Sequence, residues 1–203
     1  MKQLIILSLS LISIISCGFS REIDIVNAYE FKFDNTLLFN EYDKFIAEMG
    51  LPNRFITFTD TVDIKTKEEL DIAIKNEIDS GKQILQLHYP GYIMNYFPDN
   101  LIVPEKIDFR QTQNSIQFNE IFFDHNFTVK EFRKLFPVSG LAPSMYEHSL
   151  FKIVTKETIP DTEHYMVLRK SVDVPPFLEM EEGPIIEFTF QKGKLIYMYF
   201  ANF

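Results

Sequence analysis

Apolar and polar residues alternate along much of this chain with the two-residue period of strands, and shorter runs with helical spacing interrupt them. Ile25 to Phe33 reads as a first strand, and Leu38 to Met49 as a helix that Gly50 and Pro52 bring to a stop. Arg54 to Val62 alternates again and predicts another strand. The clearest local signal is Thr66-Lys67-Glu68-Glu69, in which the Thr66 hydroxyl caps a helix and Glu69 reaches back to close a capping box. Leu70, Ala73, Ile74 and Ile78 follow at helical spacing, Asp71 stands one turn before Lys75, and Gly81 offers a left-handed cap.

Gln83 to Tyr89 reads as a strand that Pro90-Gly91 turns back. The stretch from Gly91 to Asn114 holds Pro98, Pro104, Tyr92, Tyr96 and Phe97, which predicts an irregular, aromatic-rich connection covering the core or lining a pocket. Ser115 to Phe123 returns to strand character, and Thr128-Val129-Lys130-Glu131 repeats the capping box before Phe132, Leu135 and Phe136, with Pro137 ending the helix. The C-terminal third is richest in strands, at Leu150 to Lys156, His164 to Lys170, Ile185 to Phe190 and Leu195 to Phe200. In the last pair Ile186, Phe188 and Phe190 share one face, Gln191 to Lys194 turns the chain, and Ile196, Met198 and Phe200 are expected to share a face on the return. The expected fold is α+β: a mostly antiparallel sheet with two or three helices packed on one face.

The N-terminus breaks this pattern. Met1 to Ser16 combines one early charge, Lys2, with an almost unbroken run of Leu, Ile and Ser from Leu4 to Ile15, the make-up of a signal peptide. A run of about a dozen residues is short of the ~20 that a membrane-crossing helix needs. The chain's one cysteine follows in Ile14-Ile15-Ser16-Cys17-Gly18, which resembles the lipobox of bacterial lipoproteins. The resemblance implies cleavage after residue 16, acylation of Cys17 and residence in the cell envelope, on a membrane reached through those acyl chains. Gly18, in place of the Asp that often marks inner-membrane retention in Gram-negative lipoproteins, leaves outer-membrane sorting open. The expected organisation is a signal peptide over 1–16, a short tether over 17–24 and one α+β domain over 25–203, with two smaller lobes dividing near 91–114 as the alternative.

Composition narrows the function. With 46% apolar side chains, 21 Phe and 9 Tyr in 203 residues, the chain can bury a real core. A single cysteine excludes any intrachain disulfide. The net charge of -9 argues against nucleic acid as a partner, because phosphate binding needs clustered Lys and Arg.

Candidate chemistry is sparse. His88, His125, His148 and His164 are far apart and form no paired-ligand motif, so no metal or other cofactor is expected. Asp124-His125 and Glu147-His148 set a carboxylate beside an imidazole, but neighbours on a strand point to opposite faces. Ser149-Leu150-Phe151-Lys152 has the Ser-x-x-Lys spacing of penicillin-binding proteins and serine β-lactamases, yet it starts a strand and lacks that family's companion motifs. Two groups remain as candidate binding residues: the aromatic set Tyr92, Tyr96 and Phe97, suited to stacking, and the acidic loop Glu179, Glu181 and Glu182, suited to a cation or a basic protein. The sequence therefore favours a non-catalytic envelope lipoprotein that binds an envelope protein or a ligand. An envelope hydrolase with a site assembled from distant residues is the alternative.

Overall fold

Strand-like alternation is realised most directly at the C-terminal end, where β13 (Ile185–Gln191) and β14 (Lys194–Ala201) pair antiparallel across a two-residue turn. Lys192 and Gly193 both hold left-handed backbone there, which matches the twist of the strands they join. A bulge between Thr189 and Phe190 inserts Ile196 into the ladder. Leu195, Met198 and Phe200 therefore point into the main core, while Ile196 joins Tyr197, Tyr199 and Ala201 on the opposite face. This corrects the expectation that Ile196 shares a face with Met198 and Phe200.

The hairpin is the centre of a ten-stranded sheet in a computed structural model that describes residues 24–56, 61–82, 84–143, 159–170 and 185–201. On one side, β12 (Thr162–Lys170) pairs with β13, and β1 (Ile25–Asn27) runs parallel to β12 as the edge. On the other side come β9 (Leu101–Asp108), β8 (Tyr92–Phe97), β7 (Leu85–Tyr89), β5 (Arg54–Ile56) and β6 (Thr61–Asp63), all antiparallel, with the short β4 (Asn40–Glu41) attached to β9. A smaller antiparallel sheet has the order β11 (Ile121–Phe123), β10 (Ile116–Phe118), β2 (Phe31–Phe33), β3 (Thr36–Leu37). With the three α-helices among the described residues, this is the α+β, mostly antiparallel architecture that the hydropathy pattern implies.

Two expectations need correction. The stretch from Gly91 to Asn114 is no irregular connection: β8 and β9 form a hairpin inside the large sheet. Pro104 is accommodated because the register shifts beside it, with Met94 opposite Pro104 but Ile93 opposite Lys106. Secondly, Ile25 to Phe33, Arg54 to Val62 and Ser115 to Phe123 each divide into two short strands. β1 and β2 lie in different sheets with a 3-10 turn between them, Phe55 of β5 faces Val62 of β6, and β10 turns back into β11 through Asn119 in left-handed backbone.

Aromatic side chains fill the space between the sheets. Phe31 packs edge-on to Phe200 at 5.9 Å, Phe123 meets Phe188 at 5.3 Å, and Phe33 lies 4.8 Å from Tyr92. The helices add their apolar stripes to the same cluster: Tyr42, Phe45 and Ile46 from α1 (Tyr42–Met49), Leu70 and Ile74 from α2 (Lys67–Asp79), and Val129 and Phe132 from α3 (Val129–Leu135). Both expected capping boxes form, at Thr66 with Glu69 and at Thr128 with Glu131. The first lies between β6 and β7 of the large sheet and the second follows β11 of the small one, so the two similar segments occupy different places in the topology.

Candidate functional site

The N-terminal turns of α1 and α2 meet beside the β8–β9 turn and enclose an open hollow of about 410 Å³. The Tyr42 backbone N–H donates to the Asn100 carbonyl at 2.9 Å, which fixes the start of α1 against that turn. Tyr42 donates its hydroxyl to Asp71 Oδ1 at 2.7 Å, and the Lys67 ammonium donates to Asp71 Oδ2 at 2.8 Å. Lys67 also reaches Asp43 Oδ1 at 3.2 Å and lies 5.2 Å from the centre of the Tyr42 ring. Tyr96 stands edge-on to Tyr42 at 5.2 Å and closes the inner wall.

Electrostatics follow from this arrangement. Burial, then the hydrogen bond to Asp71, raises the Tyr42 hydroxyl well above its ordinary range. Burial likewise raises Tyr96, with Asp99, Asp43 and Asp71 adding to the effect. The hydrogen bond to Asp71 raises Lys67 despite the opposing effect of burial. At neutral pH the hollow thus presents two neutral phenols, the Lys67 ammonium between Asp43 and Asp71, and a second lysine, Lys75. Its lining shows that this surface accommodates a cation over an aromatic face with oxyanions on either side.

A second concentration of polar groups lies on the face of the large sheet opposite the aromatic core. Gln86 donates to Glu105 at 2.6 Å, and burial outweighs this bond, the one from Asn95 and the charge of Lys106, so the Glu105 carboxyl is raised. On β7 beside Gln86, burial, with Lys106 and Arg54 nearby, pushes His88 down to about 4. Asp108 holds Arg110 through both carboxylate oxygens, at 2.8 and 2.6 Å. His164 Nδ1 lies 3.2 Å from Glu187 Oε1 and 3.1 Å from Thr189 Oγ1, and all three residues are buried to within 1%. This last group is sealed, which suits a satisfied polar core better than a reacting centre.

The aromatic candidates prove to be β8 residues. Tyr92 stacks on Tyr89 at 4.7 Å, Phe97 belongs to the core, and Tyr96 alone of the three lines the hollow. Cys17, Ser149, Lys152, His148 and the acidic set Glu179, Glu181 and Glu182 lie outside the described residues, as does the strand expected over 150–156. His88 stands on β7, His164 on β12 and His125 in the turn after β11, and among the described residues no group of three or more His, Cys, Asp or Glu is placed to hold a metal. Sequence reasoning missed Tyr42, Asp43, Lys67 and Asp71. Lys67 and Asp71 are one helical turn apart and form a legible pair, but the approach of α1 to α2 leaves no local trace.

The chain matches no protein-family model, no curated protein and no solved structure. No helix among the described residues is long and apolar enough to cross a membrane.

Proposed function

We propose that this chain is a lipoprotein of the bacterial cell envelope, anchored through acyl chains on Cys17, whose domain binds a basic segment of another envelope protein without catalysing a reaction. The observation that carries the binding role is the Asp43–Lys67–Asp71 array beside the Tyr42 ring, an open aromatic surface, lined also by Lys75, in which two acidic side chains already hold one ammonium group. The net charge of -9 supports the same polarity of partner. Acylation by two or three chains makes membrane residence stable where one chain is marginal. The three helices are taken to pack on one face of the large sheet, as their shared core cluster suggests, which leaves the hollow at a helix–sheet margin. Nothing about His164 favours a hydrolase, because its ring is sealed from solvent.

The test is affinity capture from solubilised envelopes with the native lipidated chain. A partner retained at low salt, released as salt rises, and lost several-fold with Asp43→Lys or Asp71→Lys supports the proposal. A partner indifferent to both substitutions, or none reproducibly retained, counts against it. Mass spectrometry finding an intact Met1, or a trimmed start without acyl groups, removes the anchor.

A further inference from the structure

Where the domain begins, Asp24 is clasped to the 3-10 turn Ser139–Leu141. Its carboxylate accepts from the Val138 and Ser139 backbone N–H groups at 3.0 and 2.7 Å, and its own N–H donates to Ser139 Oγ at 3.1 Å. The turn in turn sits hard on α3. A Cβ at Gly140 would come within 2.9 Å of the Arg133 Cα, so a glycine is what allows the contact. Leu141, 75% exposed, and Ile25, 67% exposed, flank this clasp and are the two most exposed large apolar side chains among the described residues. Exposed apolar side chains grouped at one place match the interfacial zone of a bilayer, where they enter the headgroup boundary.

From these observations we infer that the surface around Ile25 and Leu141 rests on the membrane, and that the β6 edge of the sheet is held away from it. The inference rests on acylation of Cys17. The seven steps from Cys17 to Asp24 span at most about 25 Å at full extension. A domain of this size is ~40 Å across, and the eight interstrand steps from β1 to β6 amount to about 38 Å. A bilayer touching the β6 edge would leave Asp24 beyond the reach of its own anchor. Among the orientations the tether allows, contact through the clasp buries the two apolar side chains, and the acidic remainder of the domain faces away from anionic headgroups.

The chain's one cysteine is blocked when acylated, so a second cysteine accepts a fluorophore cleanly. Native lipidated Leu141→Cys, Ile25→Cys and Val62→Cys proteins, each labelled and reconstituted in phosphatidylethanolamine–phosphatidylglycerol vesicles, are compared for quenching by lipids with a nitroxide in the headgroup. All three sites are exposed, and Val62 marks the far edge. The expected result is several-fold stronger quenching at positions 141 and 25 than at 62. Equal quenching, or stronger quenching at 62, in protein that mass spectrometry shows to be acylated overturns the orientation and leaves the anchor standing. Protein without acyl groups overturns both.

Discussion

At the scale of single residues, the polar face of the large sheet gives this domain a pH response. His88 sits at about 4 in the fold against an ordinary 6.5, chiefly because burial disfavours its charged form. Between those values the unfolded chain binds the proton and the folded chain does not, so stability falls as pH drops through this window. Glu105, raised by burial, has the opposite sign and gains stability as acid neutralises it. A His88→Gln variant keeps the Glu105 contribution and removes the histidine's. Its stability should therefore fall less than wild type between pH 7 and pH 5, by about 1 kcal/mol once solvent screening of this half-buried ring is allowed for. Urea unfolding at the two pH values measures the difference, and identical losses in both proteins would mean that His88 is not held neutral by the fold.

At the scale of elements, the turn between β7 and β8 depends on Gly91 twice over. Its φ is +81°, and a Cβ added there would meet the Thr112 backbone N and Cβ at 2.7 Å. Gly50, after α1, has a similar φ of +80° but open space around it. With ψ at -175° Gly50 lies in backbone that is essentially glycine's alone, so Gly50→Ala should show that conformational cost, about 1–3 kcal/mol, while Gly91→Ala adds a backbone clash that should cost about 1–3 kcal/mol beyond its own conformational cost in urea unfolding. Equal losses would show that the Thr112 segment yields freely. What the sequence reveals of the elements follows the same division between local and distant causes. Both capping boxes and the turn at residues 191–194 were legible because each depends on residues within a few positions of one another. The splitting of Ile25 to Phe33 was not, since β1 is drawn to β12 and β2 to β10 by partners more than 80 residues away. Pro104 misled because a bulge, which no local pattern announces, relieves its missing N–H. The hollow was half legible for the same reason: the Lys67–Asp71 pair is written along α2, whereas Tyr42 and Asp43 arrive from another helix.

At the scale of the whole molecule, the chain's first described residues are fastened to its later ones. Among the described residues β1 is an edge strand of three residues paired with β12, and under the proposed anchoring at Cys17 it is the strand through which a pull would enter the domain. So short a strand pairs weakly by itself, and the Asp24 clasp, with the Leu168 N–H donating to the Asp24 carbonyl at 3.0 Å, is what secures its start. Removing the carboxylate leaves two partly buried N–H groups without their acceptor, a loss of about 1–3 kcal/mol. If the clasp serves the edge and not the core, Asp24→Ala should speed amide exchange at Val26, Leu168, Val138 and Ser139 while β7, β8 and β9 keep wild-type protection. Because β12 also pairs with β13 across seven residues, the rest of the sheet has no need of β1. Uniform loss of protection across the sheet would instead make the clasp part of the cooperative fold, with β1 opening only when the whole domain does.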